Sequence, residues 1–130
     1  PLSMISGITT LDLLKKSKAN YERINSEGES LLKKLNTLFK EGKFRLLATG
    51  QGSMITIHCL KEYLENPNPL EIVNNTSKKR EALLQLALLN RNITGMHGIG
   101  SISFSHQPEH LKHLKSVFDE ISKPLSEIEF

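Results

Sequence analysis

Five histidines and one cysteine are the residues of this 130-residue chain best suited to metal binding or nucleophilic chemistry. Three of them, His106, His110 and His113, could gather near the start of a predicted C-terminal helix, where histidines three residues apart can share a transition metal. No carboxylate or cysteine completes a ligand set with them, so we predict no metal site. His58 and Cys59 are neighbours in a predicted strand and should point to opposite faces, which argues against a catalytic Cys–His pair and for a buried, unreactive thiol.

Two glycine-rich segments could bring the backbone close to a ligand. Residues 50–53 (Gly-Gln-Gly-Ser) lack the Gly-Lys-Ser/Thr ending of a phosphate-binding loop and precede a strand, so they indicate a strand-to-strand turn. Residues 95–100 (Gly-Met-His-Gly-Ile-Gly) join two predicted strands and place His97 at the tip, where it could donate a hydrogen bond or exchange a proton. On residue types alone, a turn with an exposed histidine is the favoured interpretation of this second segment.

The charge pattern and composition exclude several other functions. The lysines lie on predicted polar helix faces, and none has the apolar surroundings that suit a lysine to Schiff-base chemistry. A net charge of +3 and an aromatic content of 5% give little support for nucleic-acid binding, which uses basic patches and stacking rings. No apolar run approaches the roughly 20 residues of a membrane-spanning helix. The residues alone therefore predict a globular domain without a complete catalytic constellation.

Two N-terminal helices are predicted from apolar residues at three- and four-residue spacing. The first carries the stripe within Met4–Leu14 and is followed by a break at residues 15–18. The second is predicted to be capped by Asn20 and to stop at Gly42. Gly28 lies on its apolar stripe, where the missing side chain would let another backbone approach closely.

Two further helices are predicted in the second half of the chain. One begins at Thr76 or Ser77, with residues 78–81 as its exposed first turn and residues 82–89 apolar nearly all round. The last begins at Pro108, a residue that favours the first turn of a helix. We expect residues 4–14 and 82–89 to expose apolar surface if the chain is separated from a larger protein.

Four short strands complete the predicted architecture. Phe44–Ala48 and Ser53–Leu60 should form an antiparallel pair, and Ile93–Met96 and Ser101–Ser105 should add two more strands. The inward face of the second strand is predicted to carry Ile55, Ile57 and Cys59. Residues 63–75 contain Asn-Pro-Asn-Pro and are predicted to be a surface loop. The sequence thus predicts an α+β fold, with a small antiparallel or mixed sheet and helices on one face.

Taken together, the segments resemble the C-terminal part of class III pyridoxal 5′-phosphate (PLP) dependent aminotransferases. The likeness is strongest to the glutamate-1-semialdehyde 2,1-aminomutase-like branch. It covers nearly the whole chain, with the motifs in the same order. The motifs are Pro-Leu-Ser-Met at 1–4, Gly7 with Leu-Asp-Leu-Leu at 11–14, the Tyr…Gly…Leu helix at 21–35, Gly-Gln-Gly-Ser-Met at 50–54, Leu-Leu-Asn-Arg-Asn-Ile at 88–93, and Ser-Phe-Ser-His followed by Glu-His-Leu at 103–111.

The resemblance implies the small domain of a fold-type-I enzyme. In this family the lysine of the internal aldimine, the pyridinium-contacting Asp and the phosphate-binding loop lie upstream in the large domain. No residue here is therefore assigned as catalytic or cofactor-binding, and we expect no PLP bound to this chain alone. Met96, His97 and Gly98 fall where the family's small domain faces the active site and are the substrate-side candidates. Asn92 in place of the usual Gly and a shorter turn at 98–100 depart from the aminomutase pattern.

These implications define one functional hypothesis and one alternative. The chain would be the C-terminal fragment of a PLP-dependent aminotransferase or aminomutase that acts on an amino acid or amine, inactive by itself. Residues 1–42 would link to the large domain and residues 43–130 would form the small domain that closes over the substrate. A cytoplasmic homodimer with no nucleic-acid or membrane partner is expected. The alternative is a stand-alone α+β module that binds a protein or RNA through the segment around Pro67 and the basic helices.

Overall fold

Five helices and a three-stranded antiparallel sheet make up residues 2–95 and 99–129, the part of the chain that the computed structural model describes. The helices are α1 (Leu2–Lys16), α2 (Lys18–Glu41), α3 (Pro69–Asn75), α4 (Lys78–Leu89) and α5 (Pro108–Glu127). The strands are β1 (Leu46–Gln51), β2 (Met54–Cys59) and β3 (Ile99–Ser101), in the order β1-β2-β3. The predicted α+β fold with a small antiparallel sheet is confirmed.

The core lies between one face of this sheet and the helices α2, α4 and α5. Strand residues alternate between buried and solvent-facing positions, as expected when only one face is covered. Phe39 on α2 and Phe118 on α5 meet edge to face at 5.7 Å between ring centres, which joins the two helices above the sheet. The inward residues of the strands are Leu46, Ala48, Ile55, Ile57 and Cys59. The predicted inward face of β2 is therefore confirmed.

The helix α2 approaches the β1–β2 turn closely at Gly28. A Cβ atom at this position would overlap the carbonyl oxygen of Gly52, in the turn between β1 and β2. The neighbouring Asn25 accepts a hydrogen bond from the Ser53 N–H at 3.1 Å through its side-chain oxygen. Gly52 has a φ of +56°, a conformation that favours glycine. The prediction that Gly28 allows a close backbone approach is confirmed.

The β1–β2 hairpin is tighter than the sequence predicts. Residues 49–51, predicted to belong to the turn, continue β1, and only Gly52 and Ser53 link the two strands. The pairing runs from Leu46 opposite Cys59 to Gln51 opposite Met54. Two-residue links are common in hairpins, and a glycine with positive φ suits them.

The outer edge of β1 is closed by a side chain of α2. The Asn36 amide nitrogen donates to the Ala48 carbonyl at 2.8 Å, and its oxygen accepts from the Ala48 N–H at 2.9 Å. This pair replaces the two backbone bonds that another strand would make at Ala48. Unpaired strand edges promote association with other chains, so Asn36 protects this part of the edge.

The predicted surface loop over residues 63–75 is wrong in its second half, which forms α3. The Asn68 side chain accepts from the backbone N–H groups of Leu70 and Glu71, and Glu71 in turn accepts from the Asn68 N–H at 2.7 Å. Pro69 occupies the first helical position, where a proline costs no intrahelical bond. The proline run therefore starts a helix in this segment.

The two predicted strands after α4 are also placed differently. Residues 93–95 form no strand, because the Ile93 N–H bonds to the Leu88 carbonyl and closes the end of α4. Met96 lies outside the described residues. The final strand is Ile99–Ser101 and not Ser101–Ser105. Beyond it, the chain turns towards α5 at Ser103, whose carbonyl accepts from the His106 N–H at 3.1 Å.

The predicted exposure of the first turn of α4 is wrong for Arg80. This arginine is only 2% exposed and donates to the carbonyls of Leu60 and Leu125. It lies four residues before Leu84 and eight before Leu88, and thus on the same buried face. Burial lowers the pKa of Arg80, and the positive charge of the nearby Arg45 lowers it further. Arginine nevertheless stays charged in proteins. Its bonds join the end of β2 to the C-terminal turns of α5.

We predict that Gly28→Ala lowers the free energy of unfolding, because the added methyl would overlap the Gly52 carbonyl and force α2 away from it. Overpacking costs up to about 3 kcal/mol, and the gain in helix propensity offsets about 1 kcal/mol of this, so the net loss should be about 2 kcal/mol. The measurement is urea unfolding followed by circular dichroism. Gly7→Ala is the matched control, since a Cβ at Gly7 meets nothing within 4 Å and α1 has no buried residue. Equal stability of the Gly28→Ala variant and the wild type would contradict the close approach.

Candidate functional site

The predicted substrate-side residues Met96, His97 and Gly98 lie outside the residues that the structure describes. The glycines near them in the chain, Gly95 and Gly100, line a groove of about 930 Å³ between the sheet and the helices α4 and α5. Core side chains such as Leu84 form the floor of the groove and are themselves fully buried. Polar side chains line the rest, including Asn92, Ser105, His106, His110 and His113.

Two of these histidines fold back onto the backbone in consecutive turns. The His106 Nδ1 atom accepts from the Ser103 N–H at 3.0 Å and lies 2.8 Å from the Ser103 hydroxyl. The His110 Nδ1 atom accepts from the Gln107 N–H at 3.0 Å and closes the first turn of α5. A backbone N–H can only donate, so both Nδ1 atoms carry a lone pair and, in a neutral ring, the proton resides on Nε2. The two rings meet edge to face at 6.0 Å.

Arg23 on α2 holds the segment between β3 and α5 through its backbone carbonyls. Its guanidinium donates to the carbonyls of Phe104 at 3.0 Å and His106 at 3.1 Å, and it pairs with Glu27 at 2.9 Å. The Tyr21 ring packs edge-on against Phe104 at 5.0 Å. Sequence reasoning missed Arg23, whose one signal is an oppositely charged residue four positions later on the same helix. Its partners are backbone carbonyls 81 and 83 residues away, which no sequence pattern marks.

The three clustered histidines do not converge on a common point. His113 bonds through Nε2 to the Arg91 carbonyl at 3.1 Å, whereas His106 and His110 use their Nδ1 atoms locally. Within residues 2–95 and 99–129, no group of three or more His, Cys, Asp or Glu side chains is arranged to hold a metal ion.

His58 and Cys59 lie on opposite faces of β2, as predicted. Cys59 is 1% exposed, and burial raises its pKa to about 12, so the thiol stays protonated and unreactive near neutral pH. His58 is half-buried on the outer face, with Nε2 2.7 Å from the Thr49 hydroxyl. Burial lowers the pKa of His58, and the charge of Glu81 offsets part of this effect.

The lysines of this chain do not form a site for PLP. A lysine that bonds the cofactor must be held in a shielded pocket, where its amine can be deprotonated. Here the lysine side chains are exposed except that of Lys115, which is half-buried and pairs with Asp119 at 2.7 Å. The described lysines therefore do not fit the role of the residue that bonds the cofactor.

Solved structures of transaminases share this fold. A transaminase with PLP bound superimposes with a TM-score of 0.72 at 24% identity, over 96% of this chain and 27% of that protein. A β-phenylalanine aminotransferase from Variovorax paradoxus gives 0.67 at 19% identity, over 78% and 23% of the two chains. An omega-transaminase from Sphaerobacter thermophilus gives 0.67 at 18% identity, over 85% and 26%.

These likenesses show a shared fold over about a quarter of each transaminase. No protein-family model matches the sequence, and no curated protein matches it either. Among the helices that the structure describes, none has the length and apolar character needed to cross a membrane.

The lowered pKa of His58 predicts that the chain becomes less stable in acid. Unfolding returns the imidazole to its ordinary pKa of about 6.5, so the unfolded chain binds more protons below that pH. Stability is therefore retained above about pH 6.5 and lost as the pH falls towards the lower folded value. His58→Gln should make this loss shallower in urea unfolding at about pH 8, 6.5 and 5.

His113→Gln is the matched control for this measurement, because His113 is exposed on α5. It should leave the acid-dependent loss nearly as large as in the wild type. A His58→Gln variant with the same pH dependence as the wild type would show that His58 does not contribute.

Proposed function

We propose that this chain is the C-terminal small domain of a PLP-dependent transaminase. The observation that carries the proposal is the match to a transaminase over 96% of this chain but only 27% of that protein. A segment that aligns nearly end to end with a quarter of a larger enzyme is best interpreted as a part of such an enzyme. Amino-group transfer, its amino acid or amine substrate and its cofactor are all proposed for the whole protein.

The finer assignment rests on the sequence motifs. We propose a class III enzyme of the glutamate-1-semialdehyde aminomutase-like branch, from the ordered motifs between Pro1 and Leu111. The neighbours that share the fold include a β-phenylalanine aminotransferase and an omega-transaminase, so aminotransferase activity is as well supported as aminomutase activity. In either case, PLP would serve as the electron sink for exchange of the amino group. We also propose that the whole protein is a cytoplasmic homodimer.

The role of this chain would be to cover the substrate, with chemistry supplied by the large domain. We propose that Met96, His97 and Gly98 face the substrate, a position supported by Gly95 and Gly100, which line the groove on either side of them in the chain. Glycines allow a backbone to approach a ligand closely. The described lysines offer no alternative site for the cofactor.

The proposed division at residue 42 assigns residues 1–42 to the link with the large domain. Within that segment α2 shares the core of residues 43–130, whereas α1 has no buried residue. We therefore propose α1 as the part that reaches the large domain. Its exposed apolar side chains are Leu2, Met4, Ile5, Ile8, Leu11 and Leu13.

We predict that PLP forms no specific adduct with this chain. The chain would be mixed with PLP, reduced with borohydride and analysed by intact mass and peptide mapping. The expected result is scattered, substoichiometric labelling of exposed lysines, because none is held in a shielded pocket. The protein encoded by the complete reading frame, treated in parallel, should carry one stoichiometric adduct outside these 130 residues.

Either of two outcomes would contradict the proposal. A stoichiometric adduct on one lysine of this chain would show that it has its own cofactor site. A complete reading frame that starts just before Pro1 would favour the stand-alone module, and salt-dependent RNA binding would then support a nucleic-acid partner.

We also predict that the isolated chain binds a hydrophobic dye and self-associates on a sizing column, because α1 and the exposed Leu86 and Leu89 of α4 present apolar surface. The double variant Ile8→Glu with Leu11→Glu should reduce dye binding severalfold without loss of stability, since α1 has no buried residue. Thr9→Glu, also exposed on α1, is the control and should change neither. A monomeric wild-type chain without dye binding would contradict the proposal that this apolar surface packs against a large domain.

A further inference from the structure

The groove between the sheet and the helices α4 and α5 combines an apolar floor with two histidine side chains at its open side. We propose that this groove binds a small carboxylate with an apolar body, of the class of medium-chain fatty acids, whose head group accepts hydrogen bonds from His106 and His110. The inference rests on the contacts of the described residues and does not depend on the proposed function.

The floor of the groove suits the apolar part of such a ligand. Its volume of about 930 Å³ lies in the range of small-molecule sites, which are lined mainly by apolar side chains. Leu35 of α2, Leu84 of α4 and Phe118 of α5 all line it and are at most 1% exposed. Ile57 of β2 lines it from the sheet. A ligand there would lie against the hydrophobic core, so its apolar part would leave water.

The two histidines supply the polar part of the site. Each Nδ1 atom accepts from a backbone N–H, that of Ser103 for His106 and that of Gln107 for His110, so each neutral ring carries its proton on Nε2. Nε2 is at the outer end of the imidazole, away from the backbone. Both residues line the groove, and neither Nε2 atom is bonded to another described residue. Two hydrogen-bond donors are therefore available there to a ligand.

The head group that these donors favour is a carboxylate. With N–H···O bonds of about 2.9 Å, its two oxygens can bridge donors on two rings whose centres are 6.0 Å apart. Hydrogen bonds to an ionised acceptor are roughly twice as strong as those between neutral groups. Among the described residues that line the groove there is no aspartate or glutamate. The groove therefore has no carboxylate of its own to repel an anion or to pair with an ammonium group.

The remaining histidine of the groove does not belong to the head-group site. His113 Nε2 lies 3.1 Å from the Arg91 carbonyl, which can only accept, so the Nε2–H of His113 is already used. Arg23 reaches the same segment, but its guanidinium bonds the carbonyls of Phe104 and His106 and pairs with Glu27. The available donors at this side of the groove are thus those of His106 and His110.

The test is an NMR titration of the 130-residue chain with octanoate, 1-octanol and octylammonium, which share one hydrocarbon chain. The measurement is made at about pH 8, where histidine is ordinarily neutral. Octanoate should bind about tenfold more tightly than either of the others, because only its head group is an ionised acceptor. Its shifts should include the amides of Gly100, Ser101 and Ile102, which line the groove.

Two results of the titration would overturn the proposal. Equal affinities for the three probes would show that the histidines do not select the head group. Octanoate shifts confined to α1, whose apolar side chains are also exposed, would show that the ligand binds outside the groove.

The variant His110→Glu removes one donor and keeps the start of α5. Glutamate is the usual third residue of a capping box, so it can accept the Gln107 N–H in place of the imidazole. It has no N–H to donate and adds a negative charge, so the affinity for octanoate should fall at least about tenfold. The affinity for 1-octanol should not change. A His110→Glu variant that binds octanoate as tightly as the wild type would overturn the proposal.

Two further variants are the controls. Ser116→Glu adds the same charge at an exposed position of α5 outside the described lining of the groove, and should bind octanoate like the wild type. His113→Gln should also retain binding, because the His113 Nε2–H is used by the Arg91 carbonyl. A loss in Ser116→Glu as large as that in His110→Glu would show that net charge alone governs binding, and would contradict the proposed role of His110.

Discussion

The packing of α2 along β1 is the constraint on which the rest of the structure depends. Asn25 bonds the β1–β2 turn, Gly28 meets Gly52 in that turn, and Asn36 pairs with Ala48 near the other end of the strand. Asn25 and Asn36 are eleven residues apart on α2, a rise of about 16–17 Å. Ala48 lies within β1, whereas Gly52 and Ser53 form the turn beyond its end. These contacts therefore fix α2 along β1 at two separate points, and this placement positions the remaining core against the sheet.

Two of these contacts explain why small changes on α2 should have large effects. Gly28 sets the distance between the helix and the turn, since any side chain would strike backbone atoms that cannot move alone. Asn36 fixes the helix along the strand, since an amide both donates and accepts only where the Ala48 carbonyl and N–H are both within reach. Arg23, one turn before Glu27, extends the same helix to the segment before α5. One helix thus orders the hairpin and the groove wall together.

The sequence predicts the elements whose signals are local and periodic. The α2 stripe, its end at Gly42, the start of α4 next to Ser77 and the start of α5 at Pro108 all follow from spacing and from the residues at helix ends. The predicted Asn20 cap of α2 is wrong, because α2 begins at Lys18 and Ser17 precedes it. The inward face of β2 follows from alternation. Gly28 could also be interpreted correctly, because a glycine on a buried stripe has few other roles. The fold class could therefore be predicted from the sequence.

The predictions that were wrong concern features of a different kind. Each of these features depends on a partner distant in sequence or on a local hydrogen bond that the pattern does not show. Arg80 is buried because the carbonyls of Leu60 and Leu125 satisfy its guanidinium, although its spacing from Leu84 and Leu88 was an available signal. The α3 helix forms because Asn68 and Glu71 cap each other and because Pro69 occupies the first helical position, where a proline does not break the helix. The contacts of the candidate site were the hardest to predict from the sequence. Arg23 and the imidazoles of His106 and His110 bond to backbone groups, and backbone groups carry no sequence signature.

The contrast between α1 and α2 connects the fold to the proposed function. α2 has its apolar residues on one side and buries them, so folding of this chain accounts for its sequence. The apolar residues of α1 extend beyond the predicted stripe, since Leu2 and Leu13 lie on the opposite side of the helix from Met4 and Leu11. None of them is buried, so the folding of this chain does not account for them. A helix that is apolar on all sides normally lies inside a protein. The composition of α1 is thus explained if it packs in a larger structure, as the proposed function requires.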